Sequence, residues 1–126
     1  MSLRDREITV IKLFDAESIA SGGTSSQPAE GIDLQRFVQN GFFSLQYLIT
    51  GTGTLKLEYN LSLDGSTYIE PTSSTDIGSS LTATTGPGSD GKDILTFSPE
   101  LARYLKIKAT GSGGSAAVLT LWIAMQ

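Results

Sequence analysis

Residues 47–65 read YLITGTGTLKLEYNLSLDG, and their side chains alternate between apolar and polar. A period of two is typical of a strand with one buried and one solvated face. The apolar set comprises Leu55, Leu57, Tyr59, Leu61 and Leu63. Residues 42–50 alternate as well, and the short segment GTG at 51–53 separates the two runs. The pattern therefore predicts a hairpin of two antiparallel strands, with Glu58 and Asp64 on its solvated face.

Outward from this centre, the chain predicts short strands separated by turns. Further strands are expected at residues 7–14, 32–34, 67–69, 94–97, 103–110 and 116–125. Residues 15–30 are polar and predict a loop or a weak edge strand, and residues 35–41 predict a helical turn or a loop. The segment SPE at 98–100 predicts one helical turn, because serine favours the N-cap and proline the first helical position. About eight strands without a long helix indicate an all-β, antiparallel, jelly-roll-like β-sandwich with at most short helical turns.

The length of 126 residues indicates a single β-sandwich domain spanning residues 1–126. Residues 1–6 are expected to be a flexible or vector-derived N-terminus. Residues 72–93 are the segment with the least pattern, since they are mostly Ser, Thr, Gly and Asp. We expect an irregular surface loop there, pinned to the core by Ile77 and Leu81.

The composition excludes most catalytic chemistry. The chain contains no histidine and no cysteine, so the commonest general base and the thiol nucleophile are both missing. Serines and threonines are numerous, but no evident base is present to activate them. Glu58 and Asp64 are expected to be solvated rather than to form a catalytic carboxylate pair. We therefore expect a protein that is not an enzyme and that uses no cofactor.

Carboxylates are the only metal ligands that remain. Asp76, Asp90 and Asp93 could chelate calcium together, but their spacing matches no EF-hand loop, so we interpret them as turn-forming residues and expect no metal. The net charge of −4 argues against nucleic acid as a partner. No apolar run approaches the length needed to span a bilayer, and no signal peptide is visible at the N-terminus. We expect neither nucleic acid nor a membrane among the partners.

The last strand is apolar on both of its faces. Its second face is an uncharged strip formed by Val118, Thr120, Trp122 and Ala124. A sheet normally presents one polar face, so either other parts of this domain cover the strip or it forms a subunit interface. Tryptophan is enriched at the energetic centres of interfaces, and we name these residues as a possible subunit interface.

Outward-facing aromatic side chains suggest a second kind of site. By parity, Tyr47 and Tyr59 face the core, whereas the outward aromatic residues are Tyr68, Tyr104 and Trp122. Together these three could form a platform on which a sugar ring stacks. They are the candidate ligand platform of an alternative, carbohydrate-binding function.

Three segments carry a resemblance to a known class of proteins. They are FSLQYLITGTGTLKLEYNLSLDG at 43–65, FSPELARYLKIKATG at 97–111 and AAVLTLWIAMQ at 116–126. Their order resembles small β-sandwich structural proteins of tailed bacteriophages and prophages. The pattern SxDG followed later by ARYLKI is also similar to discoidin-type, galactose-binding-like sandwiches. The first resemblance implies a non-enzymatic, virion-associated subunit in a symmetric oligomer, and the second implies a sugar ligand.

The resemblance to phage proteins and the lack of recognisable catalytic residues lead to the same expectation. The protein is expected to be a structural or assembly protein of a phage or prophage virion, present in the virion or in the host cytoplasm during assembly. Its expected partners are further copies of itself or other virion proteins. The alternative is a carbohydrate-binding or adhesion module.

Overall fold

The computed structural model describes residues 8–72 and 76–126, which form eight strands and one short helix. Residues 1–7 and 73–75 lie outside the described part, and so does the predicted N-terminal segment 1–6. The strands are β1 (Thr9–Ile19), β2 (Thr24–Asp33), β3 (Phe43–Gly51), β4 (Thr54–Ser62), β5 (Asp76–Leu81), β6 (Lys92–Phe97), β7 (Tyr104–Ser112) and β8 (Ala117–Met125), and the helix is α1 (Leu34–Phe37).

The strands form two antiparallel sheets of four strands each. Sheet 1 has the order β1-β8-β3-β6, and sheet 2 has the order β2-β7-β4-β5. Thus β1 pairs with β8, β2 with β7, β3 with β6 and β4 with β5. This is the pairing of a long antiparallel ribbon wrapped into a jelly roll. The predicted all-β, antiparallel sandwich is confirmed.

The core lies between the sheets and is built from alternate residues of each strand, because successive side chains of a strand point to opposite faces. Its most deeply buried aliphatic side chains include Leu45, Leu57, Leu105, Ile107, Leu119 and Leu121. Tyr47 and Tyr59 are buried among them, as predicted. Leu63 is not: its side chain is 75% exposed, because β4 ends at Ser62 and the chain turns away.

The predicted hairpin between residues 42–50 and 54–63 is wrong. β3 pairs with β6 and β8 in sheet 1, whereas β4 pairs with β5 and β7 in sheet 2. The segment between them therefore crosses from one sheet to the other. Its backbone is held against the β7–β8 connection, which also crosses between the sheets, since the Gly53 N–H donates to the Ala116 carbonyl at 3.0 Å. The alternating pattern correctly placed alternate side chains of β3 and β4 in the core. It could not show that the two strands belong to different sheets, which face this core from opposite sides.

The faces of β1 depart from strict alternation. Its pairing with β8 shifts register twice, between Lys12 and Phe14 and between Phe14 and Glu17. A bulge places consecutive residues on one side of a strand, and Leu13 and Phe14 are accordingly both buried. Val10 is left on the opposite, outer side, although strict alternation along residues 7–14 would put it on the same face as Phe14.

Several predicted boundaries are corrected by edge strands. Residues 15–30 belong largely to the end of β1 and to β2, which confirms the edge-strand alternative for β2 and excludes a loop. Residues 72–93 contain β5 and the start of β6, and Leu81 and Ile77 do contact the core. Residues 98–100 are not helical, and residue 69 makes only an isolated bridge with Leu61. The other predicted helical turn exists as α1, where the Asp33 side chain accepts from the Gln35 N–H.

Candidate functional site

The predicted interface strip lies on the outer face of β8, which is a central strand of sheet 1. Across this face, Ala124 is flanked by Val10 and Ser44, and Trp122 is flanked by Lys12 and Gln46. The next row pairs Thr120 with Leu48, and the last pairs Val118 with Ser18 and Thr50. These residues define the outer face of sheet 1. It is apolar or carries small uncharged polar groups along its middle.

This face is open to solvent in the described part of the chain. Val10 and Ile94, which lie on its two edge strands, are 60% and 61% exposed, and Trp122 is half-buried by neighbours in its own sheet. The Lys12 ammonium lies 5.3 Å from the centre of the Trp122 ring. Residues 8–72 and 76–126 therefore leave the outer face of sheet 1 uncovered, although a monomer seldom exposes a broad apolar patch.

Little charge interrupts this surface. Lys12 pairs with Asp15 at 3.3 Å, and Lys92 lies on the opposite edge strand. The Thr120 hydroxyl accepts a hydrogen bond from the Ala16 N–H at 3.1 Å, where the β1 bulge folds back toward β8. The strip of Val118, Thr120, Trp122 and Ala124 thus has its single hydroxyl engaged and presents mainly apolar area. Such a surface is suited to packing against another apolar surface.

The outer face of sheet 2 has the opposite character. Glu58 is buried at 6% exposure between two lysines, with Lys56 at 3.6 Å and Lys108 at 3.8 Å. Lys56 also contacts Asp76 at 3.5 Å, and Lys108 forms an ion pair with Glu70 that raises the pKa of Lys108. The prediction that Glu58 is solvated is therefore wrong. Neighbouring charges enclose it, and each lysine contacts two carboxylates, of which Glu58 is shared.

The other candidate carboxylates are also held in structural roles. Asp64 accepts hydrogen bonds from the Thr67 N–H at 2.8 Å, the Ser66 N–H at 2.9 Å and the Ser62 hydroxyl at 2.9 Å. These bonds, the one from Thr67 foremost, lower the pKa of Asp64 to about 2. Its carboxylate shapes a turn, and it does not share a cleft with Glu58.

The described residues contain no group of three or more His, Cys, Asp or Glu side chains that could hold a metal ion. Of the three aspartates considered for calcium, Asp76 is paired with Lys56 and Asp93 accepts from the Ile94 N–H at 2.7 Å. Asp90 lies in the turn before β6. The geometry offers no convergent set of oxygen ligands among them.

The three residues of the proposed aromatic platform are separated. Tyr104 lies on the outer side of β7 in sheet 2, and Tyr68 reaches across the same face to donate to the Glu30 carbonyl at 3.4 Å. Cations lie over both rings: Lys106 is 4.3 Å from the centre of the Tyr68 ring, and Arg103 is 5.1 Å from that of Tyr104. Trp122 belongs to the other sheet. No single surface presents all three rings.

Two grooves at one end of the sandwich were not foreseen from the sequence. Their volumes are about 570 and 520 Å3, and they share Leu63, Glu100, Leu101 and Ala102. Leu101 is 99% exposed between them. Glu100 accepts a hydrogen bond from the Tyr59 hydroxyl at 2.8 Å, and burial together with this contact raises the pKa of Tyr59 to about 12. The grooves are mostly apolar, and the two acids that line the second groove are each engaged, Asp64 in its turn and Glu100 with the Tyr59 hydroxyl.

No protein-family model matches this chain, and a search of curated proteins finds no match. Among the described residues, no helix is long and apolar enough to cross a membrane. The candidate site is thus chosen on geometry alone. The outer face of sheet 1 is the best defined, because it presents an uncharged, solvent-open strip around Trp122.

Proposed function

We propose that this protein is a non-enzymatic structural subunit that assembles with further copies of itself through the outer face of sheet 1. The observation that carries this proposal is the solvent-open strip around Trp122, which lies in the middle of a regular sheet. We further propose, from the sequence resemblance, that the assembly belongs to a phage or prophage virion. The protein would then occur in the virion, or in the host cytoplasm while particles form.

The contrast between the two outer faces supports assembly through sheet 1. Sheet 2 places charged side chains along its outer face and ties them together, which suits permanent contact with water. The strip on β8 has no charged member in a chain with nine basic and 13 acidic residues. A stable interface needs an apolar centre with an aromatic anchor and a more polar rim. Trp122 supplies the anchor, and Lys12, Ser44 and Gln46 supply polar neighbours.

The carbohydrate-binding alternative has weaker support. Jelly rolls occur in both capsid and lectin domains, so the fold favours neither function. A lectin platform would need accessible aromatic rings on one surface, whereas Tyr68 and Tyr104 lie beneath cations and Trp122 is on the other sheet. Catalysis has weaker support still, since the buried carboxylate Glu58 is paired with lysines and faces no cleft.

Sedimentation velocity of the wild-type protein and of Trp122→Glu tests the proposal. We expect the wild type to sediment as an oligomer and the variant to sediment as a folded monomer with an unchanged far-UV circular dichroism spectrum. The charge would be placed at the centre of the proposed contact, where burying a carboxylate is costly even when it is paired with the neighbouring Lys12.

Leu101→Glu is the matched control, because it puts the same charge on a fully exposed leucine at the end of the sandwich. It should leave the oligomer intact. A wild type that stays monomeric at high concentration would overturn the proposal. So would a Leu101→Glu variant that dissociates while Trp122→Glu remains assembled, because the contact would then lie at the end grooves. A glycan array on the same proteins tests the alternative, and sugar binding that is lost in Tyr104→Ala would favour it.

A further inference from the structure

Three dipeptides of the chain place asparagine or aspartate directly before glycine: Asn40–Gly41, Asp64–Gly65 and Asp90–Gly91. At such a pair the glycine nitrogen can attack the side-chain carbonyl carbon of the preceding residue, because no Cβ on the glycine crowds the approach. The attack needs a glycine N–H that no hydrogen bond holds and a side chain that can turn toward it. The structure separates the three pairs on both requirements.

Two of the pairs are held in place by hydrogen bonds. The Gly65 N–H donates to the Ser62 hydroxyl at 2.9 Å. The Gly91 N–H donates to the Thr85 carbonyl, also at 2.9 Å. The Asp64 side chain is fixed as well, because one of its oxygens accepts three hydrogen bonds, and its pKa of about 2 keeps it an unreactive carboxylate at neutral pH. At both pairs a bond must open before the attack can occur.

Asn40–Gly41 lacks these restraints. Both residues are exposed in the segment between α1 and β3. Within the described residues, neither the Gly41 N–H nor the Asn40 side chain makes a hydrogen bond, and the space where a Cβ on Gly41 would lie is open. The chain's other asparagine, Asn60, lies in β4, and the N–H of the next residue, Leu61, donates to the Ile69 carbonyl at 3.0 Å. Asn40 is therefore the asparagine whose surroundings permit the reaction.

We propose that Asn40 is a site of spontaneous modification, at which the Gly41 backbone nitrogen attacks Cγ of the Asn40 amide. The attacking nitrogen gives its proton to hydroxide, and the new C–N bond closes a five-membered succinimide. The side-chain nitrogen takes up a proton and leaves as ammonia. Water then opens the ring at either of its two carbonyls. The products are an aspartate or an isoaspartate at position 40, and each adds one negative charge.

Position 40 lies where the end of β8 is attached to the segment before β3. The Asn40 and Phe42 N–H groups both donate to the Gln126 carbonyl, at 3.1 and 3.3 Å, and the Gln126 N–H donates to the Phe42 carbonyl at 3.1 Å. An isoaspartate routes the main chain through its side chain and so adds one backbone atom between these two donors. The spacing that lets both donors reach one carbonyl is then lost. We expect the isoaspartate product to loosen this end of β8, whereas an aspartate keeps the main chain unchanged.

Peptide mass spectrometry of the folded protein, aged at mildly alkaline pH where the nitrogen loses its proton more readily, gives a direct test. Cleavage after Arg36, Lys56 and Lys92 separates the two asparagines into the peptides 37–56 and 57–92. Peptide 37–56 should gain the mass of an amide-to-acid conversion more than about tenfold faster than peptide 57–92, because the N–H that follows Asn60 must first leave its pairing. Ammonia should be released in equal amount, and an isoaspartate-specific methyltransferase should label the product at position 40.

Two variants separate the chemistry from its consequence. Asn40→Gln keeps the amide but requires a six-membered ring, so peptide 37–56 should keep its mass. Freshly prepared Asn40→Asp supplies the charge without lengthening the main chain. Hydrogen exchange at Phe42 and Gln126 should match that of fresh wild type in this variant and be faster in the isoaspartate fraction of the aged protein.

The folded state itself provides the last comparison. In urea, where the bonds to the Gly65 and Gly91 N–H groups are lost, isoaspartate should also form at positions 64 and 90. Isoaspartate that forms at either position as fast as at position 40 in the folded protein would overturn the inference. So would a folded wild type whose peptide 37–56 keeps its mass, or an Asn40→Gln variant that gains mass at the wild-type rate. Unchanged exchange in the isoaspartate fraction would refute the proposed loosening of β8.

Discussion

Replacing Glu58 with glutamine probes the charge network on sheet 2. The substitution keeps the shape of the side chain and removes its charge. Glu58 lies on the outer side of β4, yet it is buried, with Lys56 and Lys108 both within 4 Å. The two lysines would keep Asp76 and Glu70 as partners, so neither cation would be left alone.

The expected loss follows from these contacts. Half-exposed ion pairs contribute about 0.2–1 kcal/mol each, and Glu58 forms one with Lys56 and one with Lys108. Because this carboxylate is itself shielded from water, the pairs should lie near the top of that range. We expect Glu58→Gln to lower the free energy of unfolding by about 1–2 kcal/mol, within the cost of a disturbed buried polar group. Leu57→Ala, one residue away in the core, should cost about 2–5 kcal/mol because it leaves a cavity.

Urea unfolding followed by far-UV circular dichroism measures these differences. Glu30→Gln serves as the matched control, since Glu30 is exposed on β2 of the same sheet, and it should change stability by less than about 0.5 kcal/mol. Raising the ionic strength should reduce the cost of Glu58→Gln only in part, because burial limits screening. A Glu58→Gln variant as stable as Glu30→Gln would refute the view that this network stabilises sheet 2.

Two other positions give separate predictions. Asp64 has a folded-state pKa of about 2, below its ordinary value of 3.8, so its charge stabilises the fold above that ordinary value, and this stabilisation is lost as the pH falls toward 2. The difference in unfolding free energy between the wild type and Asp64→Asn should therefore be constant near neutral pH and shrink between about pH 4 and pH 2, and a constant difference would contradict the assignment. Gly31 has φ of +78° and faces the Tyr68 hydroxyl, so Gly31→Ala should cost about 1–2 kcal/mol from backbone strain alone. Part of the measured cost should disappear in a Tyr68→Ala background, and full additivity would show that the two residues do not collide.

Alternation explains why some strands could be predicted well. β4, β7 and β8 begin and end within about two residues of the expected positions, because each alternates strictly between core and surface. The same rule failed at β1, where a bulge between Lys12 and Phe14 reverses the faces. It also could not decide between a loop and an edge strand for residues 15–30, since a polar edge strand is held by backbone bonds to β7 and needs no apolar face.

Alternation predicts which face of a strand is buried, but it does not predict which strands pair with it. A strand that is buried on one side carries no mark of the sheet to which it belongs, and β3 and β4 were consequently expected to pair. The same limit explains the separation of Tyr104 from Trp122, because parity places both outward but on different sheets. Glu58 illustrates a further limit: its partner Lys108 is distant in the sequence, so the burial of Glu58 beside it depends on the fold.

The outer faces of the two sheets differ in charge, and the proposed function depends mainly on this difference. In a two-layer sandwich both outer faces meet water unless something covers them, and charged side chains are tolerated on either one. Sheet 2 has them, joined in pairs across β4, β5 and β7. The centre of sheet 1 has none, even though Lys12 shows that the chain can place a cation beside Trp122. An isolated subunit gains nothing from leaving part of the Trp122 ring in water, whereas the proposed assembly would bury the rest of it.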